Sequence, residues 1–194
     1  MKYHLTAQTA LNIPSESGHF ADWHLLEAFS GNTAEWQARC TWVGAADAMP
    51  AGRHLPDTRP WLGEAGVWNC TDVLRSHGVQ VNPGQAIHAA RPWRAVLDMV
   101  LAHATKGRLA QHVQLTQWFD PEADAAELTR LHTVALYLLG DVAVEDFSAA
   151  VACAPEGLQT LPENLRGLLR AWLALETEAW PSTPQSLARP TESA

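Results

Sequence analysis

Apolar and polar positions along this chain follow two different periods, two in short N-terminal segments and a helical one from residue 91 onward. Trp36, Ala38, Cys40 and Trp42 alternate with Gln37, Arg39 and Thr41. A period of two predicts a strand over 36–43 with one buried face. Tyr3 and Leu5 alternate with His4 and Thr6 in the same way, which predicts a second strand over 2–6. Segments 78–81 and 86–88 read as further short strands, and 70–77 as a short helix that Thr71 caps and Gly78 stops. Closely spaced glycines and prolines, from Pro14 to Gly66, keep every element in this half short.

From residue 91 the period becomes helical. Pro92 suits a first turn, and Trp93, Val96, Leu97, Val100, Leu101 and Ala104 form one apolar stripe over 91–105. The same wheel sends Arg91, Arg94, Asp98 and Thr105 to the opposite side. There Arg94 and Asp98 would make an exposed pair worth only ~0.3–0.5 kcal/mol. Further on, Asp120 and Pro121 open a helix that carries Leu128, Leu131, Ala135, Leu138 and Leu139 and ends at Gly140. A second helix is expected over 144–153 with Phe147, Ala150 and Val151 inward. A third is expected over 162–180 with Leu165, Leu168, Leu169, Trp172, Leu173 and Ala179 inward, and a shorter one over 109–119. Each stripe needs a partner. The pattern therefore predicts an α+β protein: a small N-terminal α/β part with short strands over 1–107, then a helical bundle over 108–180 packed on it. The polar Pro/Ser/Thr-rich segment 181–194 reads as a disordered tail.

Charge sharpens this division. The 194 residues have a formal net charge of −8. Residues 1–110 hold nine basic and nine acidic side chains, whereas 111–194 hold four and twelve, so the helical half carries the excess. An acidic chain argues against direct nucleic-acid binding. No apolar run approaches the ~20 residues of a membrane span, and the opening segment has no signal-peptide core. Cys40, Cys70 and Cys153 are odd in number and form no C-x-x-C pair. This points to a reduced, cytoplasmic protein rather than a disulfide framework.

Chemistry-bearing residues are sparse. His19, Asp22 and His24 form the densest polar cluster, and two imidazoles with a carboxylate suit zinc or iron. Their spacing does not put all three on one helix face, so the cluster stands as a candidate for metal binding, or, through Asp22 and His24, for acid–base catalysis. The bland alternative makes Asp22 a cap and His24 a satisfied histidine. His132 falls among Leu128 and Leu131 and reads as a hydrogen-bonded core residue. The chain has no G-x-S-x-G, and Gly63–Gly66 lacks the lysine of a phosphate loop. Cys40, on the buried strand face, is poorly placed as a nucleophile. No cofactor is implied. Nine tryptophans are an excess. Trp36, Trp42, Trp93 and Trp172 fall on inward faces, while Trp61 and Trp68 occupy a Gly/Pro-rich stretch with Arg53 and Arg59. This is either an exposed interaction surface or a second, loop-covered core. Seven basic residues in 53–108, Arg91 and Arg94 among them, make a mild basic patch suited to a phosphate or an acidic partner.

The opening KYHLTAQTALNIP, with GHFADWH after it, resembles a group of small bacterial and mobile-element proteins. HAARPWRAVLDMVL, residues 88–101, belongs to the same likeness. It also resembles a helix in the C-terminal domain of abortive-infection-type (type IV) antitoxins, with an Arg followed by Ala-x-Leu-Asp and aliphatics. Together these stretches cover about a fifth of the chain. The resemblance implies a role in a toxin–antitoxin or phage-defence locus as a binding or neutralising partner, and it transfers no catalytic residue. The leading expectation is a non-enzymatic interaction protein whose protein partner is a cognate toxin or defence component. The alternatives are a metal-dependent hydrolase or nuclease-like effector using His19, Asp22 and His24, and a phage-derived acidic inhibitor of a host nucleic-acid-binding machine.

Overall fold

A computed structural model describes residues 2–14, 25–45, 47–152, 157–177 and 180. The fold is mixed α+β, with its longest helices in the C-terminal part. Strands β1 (Tyr3–Leu5), β2 (Thr41–Gly44), β3 (Arg53–His54), β4 (Val67–Asn69) and β5 (His88–Ala90) form one sheet in the order β3-β2-β1-β5-β4. The central strand β1 runs antiparallel to β2 and parallel to β5, with Leu5 opposite both Trp42 and Ala89. Short helices α1 (Ala7–Leu11), α2 (Leu25–Ala28), α3 (Thr33–Arg39), α4 (Arg59–Leu62) and α5 (Thr71–Ser76) connect the strands. Helices α6 (Pro92–Ala104), α7 (Ala125–Leu139), α8 (Val144–Val151) and α9 (Glu163–Leu175) supply the helical mass.

Two clusters of buried side chains meet at α6. Leu5, Trp36, Trp42, Leu74 and Ile87 pack in the first, with Ala95 of α6 among them. The second gathers Trp93, Leu97, Val100 and Leu101 of α6 with Leu131, Leu138, Phe147, Leu169 and Trp172. Helix α6 therefore touches both clusters. Gly66 sits close against it. Its φ is +70°, and a Cβ there would lie 2.3 Å from Cζ2 of Trp93. Only a residue without a side chain fits both the conformation and the approach.

Several expected boundaries move, each for a local reason. The expected strand over 36–43 is split: 33–39 is helical and only Thr41–Gly44 is strand. Asn32 and Glu35 form a reciprocal capping box, Glu35 N–H to Asn32 Oδ1 and Asn32 N–H to Glu35 Oε2, each 3.1 Å. That box starts a helix where alternation alone suggested a strand, and Trp36 and Cys40 still point inward at i, i+4. Residues 78–81 form no strand. The Gln80 carbonyl instead accepts from Trp36 Nε1 at 2.7 Å and Thr33 Oγ1 at 3.0 Å. The strand expected at 86–88 lies at His88–Ala90. Thr71 is the first residue of α5 and not its cap. Its hydroxyl donates to Asn69 Oδ1 and accepts from Ile87 N–H. Asp120 caps a turn, accepting from the N–H groups of Glu122 and Ala123, and α7 begins only at Ala125. Of the helix expected over 109–119, only a 3-10 turn at Leu115–Gln117 forms. Helix α9 stops at Leu175. Segment 181–194 lies outside the described residues.

Candidate partner-binding surface

The largest departure from the sequence reading is at Arg94 and Asp98. Neither is on the surface; both are fully enclosed. Arg94 Nε donates to Asp98 Oδ1 at 2.9 Å, and Thr58 Oγ1 donates to the same oxygen at 2.6 Å. Asp98 Oδ2 accepts from Thr6 Oγ1 at 2.6 Å and from His4 Nε2 at 3.1 Å. The outer nitrogens of Arg94 reach the carbonyls of Ala65 (2.8 Å) and Gly63 (3.2 Å), and Thr58 Oγ1 at 3.1 Å. One ion pair thus ties β1, the residue before α4, the 63–65 turn and α6 together. Burial opposes ionisation of Asp98, but the Arg94 guanidinium and the His4 and Thr58 hydrogen bonds outweigh it. They hold the carboxyl far below the usual carboxylate range. Nδ1 of His4 is buried without a hydrogen-bond partner. Arg94, expected in a partner contact, is therefore an internal structural residue. His4, Thr6 and Thr58 belong to the same network, and no local sequence pattern marks them.

The other expected contact residues do not form one patch. Arg53 is exposed on the edge strand β3. Arg59 is half-buried. It is paired with Asp57 at 2.6 Å and also donates to the Lys2 carbonyl. Trp61 and Trp68 are half-buried and pack against the second and first clusters respectively, so neither is a freely exposed ring. Arg91 lines a cleft of about 540 Å³ together with Gly66, Trp93, Arg130 and the end of α8 at Val151. In that cleft's wall Arg130 pairs with Glu127 at 2.8 Å, and Glu127 also accepts the Trp93 N–H.

Part of the acidic excess of the helical half is internal. The Glu176 carboxylate accepts the Leu115 N–H at 2.7 Å, and the buried Asp124 accepts the Asp120 N–H at 2.8 Å. Glu122, Asp141, Glu145, Asp146 and Glu163 are exposed. Val144 is 47% exposed and sits between Asp141 and the Glu145–Asp146 pair in the chain.

His19, Asp22, His24 and Cys153 lie outside the described residues. Among the described residues, no group of three or more His, Cys, Asp or Glu side chains gathers in a way that would hold a metal ion. Burial pushes the thiols of Cys40 and Cys70 up to about 12, so both are poor nucleophiles at neutral pH. His132 is half-buried with its ring stacked on Trp180 at 4.6 Å, and burial lowers its pKa. No described helix is long and apolar enough to cross a membrane. No protein-family model, curated protein or solved structure matches the chain.

Proposed function

We propose that this chain is a non-enzymatic interaction protein of the cytoplasm, antitoxin-like or an accessory of a toxin–antitoxin or phage-defence module. Its acidic helical face meets a basic surface on a protein partner. The observation that carries this reading is the exposed set Val144, Glu145 and Asp146 at the start of α8, an apolar side chain beside two carboxylates, with Asp141 just before it paired to Arg170 at 3.8 Å. Such a patch offers a desolvating anchor with charges that steer a cationic partner. The enclosure of His4, Arg94 and Asp98 supports the same reading, because this polar cluster acts as internal structure.

Co-expression with the product of the neighbouring gene tests it. The chain should co-purify with that product and relieve its toxicity, and both effects should be lost in a Glu145→Lys/Asp146→Lys variant. Recovery of the chain alone, without rescue, counts against the proposal. The same acidic patch supports a second reading, inhibition of a nucleic-acid-binding machine by charge mimicry. That reading predicts competition between the chain and DNA or RNA for the partner, with binding that weakens steeply as salt is raised.

A further inference from the structure

Helix α6 carries His103 in its last turn, and His103 Nδ1 lies 3.0 Å from the Met99 carbonyl. A carbonyl only accepts, so Nδ1 carries the proton and the Nε2 lone pair of the neutral ring is left available. The chain then turns back sharply: Gly107, at φ +67°, donates to the Ala104 carbonyl, and Arg108 N–H donates to the His103 carbonyl. This brings the His112 ring to 4.4 Å from that of His103, with the planes tilted by 56°. The return segment is held firmly. Ala110 and Val113 on either side of His112 are buried, and Trp172 Nε1 donates to the Val113 carbonyl at 2.9 Å.

We propose that His103 and His112 form a two-imidazole site for a borderline divalent transition-metal ion such as Zn²⁺ or Ni²⁺. Imidazole nitrogens select these ions over Mg²⁺ or Ca²⁺. With metal–nitrogen bonds of about 2.0–2.1 Å, two rings on neighbouring coordination positions have centres about 4.5–5.5 Å apart. The observed centroid spacing of 4.4 Å lies close to the lower end of that range. The His103 Nδ1 contact to a backbone carbonyl is the orienting bond that metal-ligating histidines commonly make. Arg53 lies within electrostatic reach of His112. Arg53 opposes the cation, while the carbonyl end of α6 favours it. Water would complete the coordination shell, and the ion would staple the return segment to the end of α6.

The test is calorimetric titration of the full chain with ZnCl₂ and NiCl₂ in chelator-free buffer. It is carried out in a His19→Ala/His24→Ala background, which removes the N-terminal histidine candidates. One ion per chain is expected in that background, with affinity reduced at least tenfold by either His103→Ala or His112→Ala. His112 is exposed, so its variant should fold, as a thermal melt without metal will verify. Both ring resonances should shift together on Zn²⁺ addition. No saturable binding in the background, or binding that His112→Ala leaves unchanged, overturns the proposal.

Discussion

Arg94 and Asp98 stand one helical turn apart on α6, Nε to Oδ1 at 2.9 Å, with both side chains wholly enclosed by protein. In water the same pair would count for little. Enclosed, it holds two charges whose desolvation is repaid only while every partner is in place. Asp98→Ala would leave the guanidinium uncompensated and four hydrogen bonds to the carboxylate unmade. It should cost about 3–5 kcal/mol, measured by urea unfolding. The joint change of Arg94 to Met and Asp98 to Leu should cost less than the sum of the two single changes, because neither charge is then stranded.

The same residue sets a pH dependence. The Asp98 pKa is lowered in the folded chain, so its contribution is present above the unfolded value of about 3.9. That contribution is lost progressively as pH falls below it, towards the depressed folded value. Stability should therefore drop on acidification below about pH 4. In an Asp98→Asn variant, destabilised at neutral pH, this acid slope should be shallower. Unfolding midpoints in urea between pH 3 and pH 7 would measure both.

Gly66→Ala should cost about 2–4 kcal/mol, from left-handed backbone strain and contact with the Trp93 ring. Gly78 is the internal control. Its φ is +79°, but the space around it is open, so Gly78→Ala should cost only the backbone strain, about 1–2 kcal/mol. Equal losses in paired thermal melts would mean that the approach to Trp93 is not tight.

Asn32→Ala removes half of the capping box at α3 and should cost about 1 kcal/mol. A melting temperature unchanged from the parent would show that α3 is held by the packing of Trp36 alone.

Much of the helical half was legible in the sequence. The stripes of α7, α8 and α9 are long or regular enough for period alone to reveal them, and Gly140 does end α7, at φ +83°. The inward placement of Trp36, Trp42, Trp93 and Trp172 was also legible. For helix α6 the periodicity locates the bounds closely but not the fully buried environment. The signal was present, because Pro92, Ala95, Met99 and Ala102 carry apolar character around to the side of Arg94 and Asp98. A helix that is apolar all round is buried all round. The short N-terminal elements were harder. Over 36–43, helical i, i+4 and strand i, i+2 spacings both place Trp36 and Cys40 inward, so only the cap at Asn32 separates them.

By itself, then, the amino-acid order determined the class of fold, the acidic bias of the C-terminal half and the faces of the long helices, because these follow from local periodicity and composition. Tertiary structure alone decided that His4, Thr6 and Thr58 close around Asp98, and that His103 and His112 come ring to ring. Asp98 gains these partners from β1, from the residue that follows it and from the residue before α4, 94, 92 and 40 positions away along the chain. Contacts across such separations depend on how α6 seats against the sheet, which no local pattern encodes.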